Sequence, residues 1–504
     1  MSTVYLPDDH NETLVQNTHP RDWVNPVPTG RYNLVVIGGG TAGLVSAAGA
    51  AGLGAKVALI ERNLMGGDCL VTGCIPSKAI LRSAHAMAEL RRAASLGINL
   101  NVEPRADFAA VMERLRRIRS EISTHDSAHR FRKLGVDVYF GDARFVTPDS
   151  IDVNGQKLLF ARAVIATGAR AAVPELPGLA DSGFYTNESI FNLTELPARC
   201  LVIGGGPIGC ELAQAFQRLG SQVTLVETGP QVLAREDAQV AKVLEDRLTR
   251  DGVEVRLNAS VTRVQKLRDL IDVTITTGTQ ESTCQTNAIL VATGRRANVE
   301  NLNLESAGVL VDKHGISVND FLQTANPRIY AAGDVCLRFQ FTHAADAAAR
   351  VVIQNALFGI AGKKRASALT IPWCTYTDPE VARIGMNARE ARERGVEIET
   401  IRINMEDNDR AKTEGESEGF LEVHLKKGSG KILGATIVGR SAGDMLPMIA
   451  TAMSEDIGLG KLANVILPYP TRAEAIKRAA DAYNRTRLTP FIKRVMQFIL
   501  DWQR

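Results

Sequence analysis

Cys69 and Cys74 lie in the stretch GGDCLVTGCIPSK, with four residues between them. Such a pair could hold a metal, staple the fold, or open and close as a redox disulfide. A structural zinc usually takes about four ligands. No second cysteine pair or histidine partner is near, and His85 is isolated. Pro76 suits the first turn of a helix, which SKAILRSAHAMAELRRAA continues. A thiol at a helix N-terminus feels the positive end of the dipole, which favours thiolate. A reversible disulfide is therefore the sharper reading, set against two ordinary cysteines flanking a helix.

The elements that must position such a pair come from the rest of the chain. Its 504 residues exceed one compact core, so about two to four domains are expected. With 59 basic and 56 acidic residues the net charge is +3, which gives no electrostatic reason to expect nucleic acid. Seven cysteines do not make a secreted disulfide scaffold, so a reducing, cytoplasmic setting is the expectation. No apolar run reaches the length of about 18 residues that a membrane span needs. Residues 1–30 are polar and contain prolines, lack a secretory signal pattern, and read as a flexible extension.

Two segments repeat one plan. LVVIGGGTAGLVSAAGAAGLGAKVALIE runs from Leu34 to Glu61, and CLVIGGGPIGCELAQAFQRLGSQVTLVE from Cys200 to Glu227. Each is an apolar strand, a G-x-G-x-x-G turn, a helix and a second strand ending in Glu. The glycines are Gly38, Gly40 and Gly43, then Gly204, Gly206 and Gly209. The first glycine permits the turn, the second admits a pyrophosphate at the helix N-terminus, and the third lets helix and strand pack closely. The terminal acid is placed to accept from a ribose 2′-hydroxyl. Two dinucleotides are thus expected. Glu227 would repel a 2′-phosphate, so NADH is favoured over NADPH at the second turn. AVIATGAR and ILVATGRRA resemble strands entering glycine turns, and IYAAGDV puts Asp334 just beyond a buried strand, where α/β sheets meet polyol ligands. A redox disulfide beside two dinucleotides suggests a relay in which one dinucleotide is a flavin.

With these motifs in order from about Arg31 to Asn484, the chain resembles the flavin-dependent pyridine nucleotide–disulfide oxidoreductases. The resemblance implies an α/β fold: two Rossmann-like domains, the second inserted in the first, then a C-terminal α+β dimerisation domain. The implied boundaries are 31–185 and 312–365 for FAD, 186–311 for NAD(P), 366–485 for the interface and 486–504 for a terminal amphipathic helix. It implies that Gly38, Gly40, Gly43, Glu61, Arg62, Gly67, Thr167, Gly168, Gly333 and Asp334 hold FAD. Gly204, Gly206, Gly209, Glu227 and Gly294 would hold the nicotinamide cofactor. Cys69 would meet the acceptor and Cys74 would lie against the flavin, with Lys78 and Glu211 as an ion pair beside it. No metal site is implied. Within the interface domain, GFLEVHL and KILGATIVG alternate as two antiparallel strands.

The resemblance also implies a homodimer in which LPYPTRAEAIKRAADAYN completes the partner's site. In the lipoamide and glutathione enzymes the position of Tyr469 is a His paired with a Glu that matches Glu474. Tyr, with an ordinary pKa near ~10 against ~6.5 for His, is a poor base at neutral pH. Tyr there, and the GGDC opening, look like the mercuric-reductase branch, which suggests Hg(II) or another soft electrophile as acceptor. The last cysteine is Cys374, so the C-terminal cysteine pair of those enzymes has no counterpart. A dihydrolipoamide dehydrogenase or small-disulfide reductase is the runner-up. In the tail, Phe491, Ile492, Val495, Met496, Ile499 and Trp502 share one helical face. Docking on the body or on a partner subunit is favoured over lying on a membrane as part of a peripheral electron-transfer module.

Overall fold

The computed structural model describes residues 6–504. They form two compact units. The first comprises residues up to Arg91, Leu100–Thr228 and Asn258–Leu369; the second comprises Arg92–Asn99, Gly229–Leu257 and Thr370–Arg504.

In the first unit, Arg31–Ile37 and Val57–Glu61 run parallel, in register Leu34↔Val57 to Ile37↔Ile60, joined by the helix Thr41–Gly52. Val136–Phe140 extends the sheet beyond Val57–Glu61, and Gln156–Ile165 lies on the other side of Arg31–Ile37. Ile329–Ala331, far along the chain, pairs in parallel with Ala163–Ile165 and closes that side. Leu34, Val36 and Leu59 enter one core while Val35, Ile37, Ala58 and Ile60 enter another, so both faces are buried. That is why these strands read as continuous apolar runs rather than alternating ones.

The second glycine copy repeats the arrangement within the same unit. Arg199–Ile203 pairs in parallel with Gln222–Val226 and with Ala288–Val291. An antiparallel meander, Ala259–Leu267, Leu270–Thr277 and Gln280–Thr286, packs its alternate residues Val261, Val273 and Ile275 into the same core as Leu201 and Ile289.

The second unit is built on a five-stranded antiparallel sheet that includes Phe420–Lys426 paired with Ile432–Gly439, the two strands expected from alternation. Ile449 and Ala452 from the helix Ala442–Ser454, and Ile476 and Tyr483 from the helix Glu474–Thr486, cover it.

The expected flexible extension is a packed element over its described part; residues 1–5 lie outside the described residues. Asp9–Thr18 is a helix whose N-cap Asp8 accepts from Asn11 N at 2.7 Å. Leu14 is fully buried against Leu64, Leu70 and Val71. Arg119, itself buried, donates to Asn11 Oδ1 at 2.7 Å and to Val71 O at 2.8 Å. Trp23 Nε1 donates to Val138 O and Asn25 Nδ2 to Phe140 O, so the segment is tied to the sheet edge. The composition misled because few apolar side chains hold this helix. Its support is polar and comes from more than a hundred residues away. Leu14→Ala removes a fully buried side chain and is expected to cost about 2–4 kcal/mol. Native-state hydrogen exchange reads this as lost protection over Asp9–Thr18 and the adjoining Gly67–Val71 helix.

Candidate functional site

The two glycine turns match atom for atom. Gly38 has φ +107° and Gly204 +108°, and a Cβ on either would come within 2.4 Å of Ala166 O or 2.5 Å of Ala292 O. Those carbonyls belong to the two ATG segments, which pass directly beneath the turns. A Cβ on Gly43 would lie 1.8 Å from Gly38 O, and one on Gly209 1.9 Å from Gly204 O. Gly40 and Gly206 begin helices without any side-chain cap, which leaves the first amides for an anion. The space around Gly206 is open, and at Gly40 the nearest atom to a Cβ is Gly67 Cα at 3.8 Å.

The strand-end acids are held alike. Glu61 Oε2 accepts from Gly39 N at 2.5 Å and Oε1 from Asn63 N at 2.7 Å. Glu227 Oε2 accepts from Gly205 N at 2.6 Å. Burial pushes the Glu61 carboxyl up, against those amide bonds and the nearby Arg62. Gly38, Glu61, Arg62, Gly141, Thr167 and Asn298 line one open cleft. Thr167 Oγ1 donates to Asn298 O at 2.6 Å, and Asn298 Nδ2 returns a bond to Thr167 O at 2.9 Å. Gly168, Gly294 and Gly333 all have positive φ. Arg295 ties this region together: it pairs with Asp68, donates to Ala169 O at 2.8 Å, and lies 3.5 Å from Asp334 Oδ2. Burial raises the Asp334 carboxyl and Arg295 opposes that. Arg295, Asp68, Asn298 and Thr342 were not singled out from the sequence. Arg295 and Asn298 follow the second ATG directly, the one signal available; nothing local marks Asp68 or Thr342.

The sulfur pair sits between these features. Cys69 lies in the short helix Gly67–Val71, and Cys74 is the first residue of the helix Cys74–Arg91. A Cβ on Gly67 would approach Gly40 Cα to 2.7 Å, so the redox segment presses on the first glycine turn. The two thiols are unbridged and hydrogen-bonded to each other. Cys74 Sγ also lies 3.2 Å from Thr342 Oγ1. The bond from Cys69 brings the Cys74 pKa down to about 6, helped by Thr342 and the Lys78 charge and opposed by burial and Glu211. The same bond pushes Cys69 up, and burial adds to it. Lys78 follows Cys74 by one helical turn, and its Nζ reaches Glu211 Oε2 at 2.7 Å. Glu211 is buried in the helix Pro207–Leu219 that leaves the second glycine turn. Of the other cysteines, Cys200 and Cys210 are buried core residues, and burial pushes Cys200 to about 12.

In the second unit, Tyr469 is 71% exposed and donates to Asp409 Oδ2 at 3.1 Å. That bond raises its hydroxyl pKa further. Glu474 opens the helix Glu474–Thr486 and pairs with Arg478 at 3.6 Å. Arg472, held by two bonds to Glu414 Oε2, anchors the segment between them.

Residues 32–349 match the pyridine nucleotide-disulphide oxidoreductase family, and residues 371–480 match its dimerisation domain. The chain belongs to that family. A mercuric reductase of Staphylococcus aureus is 34% identical over 457 residues, covering 90% of this chain and 83% of that protein. A dihydrolipoyl dehydrogenase of Chlamydia muridarum is 33% identical, over 89% and 96%. The structure of the HOCl-induced flavoprotein disulfide reductase RclA from Escherichia coli has a TM-score of 0.79 at 28% identity, covering 89% of this chain and 99% of that one. The family is FAD-dependent and uses NAD(P)H. The residues fit both cofactors: two turns admit no Cβ at their first and third glycines, and each ends in an acid fixed by a turn amide.

The Cys74 thiol is expected to ionise with a midpoint near 6, thiolate above it and thiol below. The check is the ultraviolet thiolate absorbance of reduced protein minus that of Cys74→Ser. Lys78→Met removes the cation and leaves Glu211 uncompensated, so both changes move the midpoint upward.

Proposed function

We propose that this protein is an NADH-dependent reductase whose Cys69–Cys74 pair delivers electrons to a soft metal ion or small electrophile, Hg(II) being the named candidate. The observation that carries the acceptor class is Tyr469, a phenol where a proton-shuttling dyad would need an imidazole, with its hydroxyl donating to Asp409. FAD held by the first glycine turn would supply the two-electron link between the nicotinamide and the disulfide. The chain's own residues do the rest. The Lys78 charge beside Cys74, held by Glu211, favours thiolate when the disulfide opens. Cys69 takes the proton and meets the acceptor, which leaves with two electrons as the disulfide closes. Glu227 disfavours a 2′-phosphate. Two copies pair through the domain at 366–485, with Tyr469 and Glu474 completing the other copy's site. The 34% identity to a mercuric reductase supports this reading, and the similar identity to a dihydrolipoyl dehydrogenase supplies its competitor.

Anaerobic titration with NADH, followed by Hg(II), lipoamide and oxidised glutathione in turn, tests the acceptor. Hg(II) is expected to reoxidise the enzyme fastest. Tyr469→His is expected to raise lipoamide turnover by about tenfold or more, since a positioned base contributes about 10²–10⁴. Fast lipoamide turnover by the unaltered enzyme defeats the proposal.

A second reading concerns location. The helix Pro490–Trp502 has no buried residue, which corrects the expectation of docking on the chain's own body and leaves a partner subunit or a membrane as the surface it would meet. Phe491, Phe498 and Trp502 are 74%, 75% and 84% exposed. Its polar side carries Lys493 and Arg494 against one acid, Asp501, and Arg504 follows just past its end. A basic amphipathic helix of this kind suits an anionic membrane surface. Among the described residues no helix is long and apolar enough to cross one. Full-length protein is expected to co-sediment with anionic liposomes at low salt and a chain ending at Asn484 to stay in solution. Equal partitioning of the two removes the reading.

A further inference from the structure

Outside the redox site, the second unit brings together three side chains that the sequence reading did not connect. Glu422 and His424 sit on one face of the strand Phe420–Lys426, two residues apart. Asp237 is the N-cap of the helix Ala238–Arg250. One carboxylate oxygen from each acid and a ring nitrogen of His424 lie within 4.8 Å of one another. His424 is 1% exposed and its Nε2 has no partner, while Nδ1 lies 2.9 Å from Thr400 Oγ1. A buried imidazole nitrogen without a partner is costly, so its surroundings need an explanation.

Lone pairs supply one. A carboxylate offers about four acceptor positions. Glu422 Oε1 accepts from Gln239 Nε2 and Arg402 Nη1, while Oε2 accepts only from Gln239 Nε2. Oε2 therefore keeps one. The Asp237 oxygens accept only the backbone amides of Ala388 and Arg389, leaving one on each. With Nδ1–H donating to Thr400, Nε2 is the ring nitrogen left with a lone pair to give. Thr400 then stands where a carbonyl or hydroxyl stands behind a metal-bound histidine, fixing tautomer and ring orientation. Charge points the same way. Arg402 offsets Glu422, and the buried Arg383 is taken by Glu236 and Glu390. Among the described residues, Asp237 has amides alone and no cation of its own.

We propose that Asp237, Glu422 and His424 form a binding site for a divalent transition ion of the Zn(II) type, with His424 Nε2 as its nitrogen ligand. One imidazole and two carboxylates are a borderline donor set that suits Zn(II) better than Mg(II) or Ca(II), which prefer oxygen throughout. Ligands at about 2.0–2.2 Å from zinc stand about 3–3.5 Å apart, so the side chains close by about an ångström. Water fills the remaining position. Bound, the ion links the start of the helix Ala238–Arg250 to the strand Phe420–Lys426, segments far apart in the chain, and so stabilises the second unit. The proposal is independent of the acceptor assigned to the sulfur pair.

The test uses full-length, FAD-loaded Cys69→Ser/Cys74→Ser protein, which removes the thiolates that would compete for the probe. Equilibrium dialysis against Zn(II) with elemental analysis is expected to give one ion per chain and a raised unfolding temperature. His424→Gln and Asp237→Asn are expected to weaken binding by at least about tenfold. Thr400→Val keeps all three ligands and is expected to weaken it about tenfold through lost orientation. Co(II) substituted for Zn(II) should give a ligand-field spectrum that His424→Gln changes. No bound ion in the parent protein, or affinity and spectrum unchanged by His424→Gln and Asp237→Asn, overturns the proposal.

Discussion

The arrangement depends most on the ion pair between Lys78 and Glu211. Glu211 is almost wholly buried in the helix that leaves the second glycine turn, and a buried carboxylate without a cation is strongly disfavoured. Lys78 is its cation, and it comes from the helix that begins at Cys74. One contact at 2.7 Å therefore joins the helix that begins at Cys74 to the second glycine turn and sets a positive charge one turn from the Cys74 sulfur. Lys78 keeps 37% of its side chain exposed, so the pair lies short of the fully buried limit. Its contribution is accordingly more to position and charge than to bulk stability.

Close backbone approach is the second constraint, and it acts on both sides of the sulfur pair. Gly67 presses on Gly40, fixing the Cys69 helix against the first glycine turn. Gly49 lies so close to Ile353 that a Cβ would come within 2.6 Å of its Cδ1, which packs the helix Thr41–Gly52 tightly on Thr342–Leu357. That packing carries Thr342 to Cys74, where its hydroxyl helps to hold the thiolate. Small residues here do the work that polar ligands do elsewhere: they let backbones meet, and the chemistry follows from where the meeting leaves the side chains.

The acceptor end obeys a different logic. In the second unit Arg472 and Glu414 hold the segment that bears Tyr469, and the hydroxyl is spent on Asp409. A phenol bound to a carboxylate and open to solvent is a donor and a recognition group rather than a base. Family membership alone leaves lipoamide-type and mercury-type chemistry both in play, since relatives of each kind are about equally similar. The proposed preference for the mercury type rests on the residue at this one position and its partner.

The glycine turns, their terminal acids and the sulfur pair were legible in the sequence because each is a local pattern, whereas Lys78 and Glu211 came only with the family resemblance. Spacing along the chain already dictates a turn, a helix dipole or a shared helical face. Two antiparallel strands at 420–426 and 432–439 were legible for the same reason. What only tertiary structure decided is whatever depends on partners distant in sequence. Asp8–Thr18 reads as a polar tail until Arg119, Leu64 and Val71 supply its contacts. Arg295 means little until the fold brings it to Asp68 and Asp334. Tyr469 stands alone in sequence, and the fold brings Asp409 to its hydroxyl. Hydrophobic period and turn chemistry are short-range and survive in one dimension. Hydrogen bonds and ion pairs between remote residues are set only once the sheets and helices have packed.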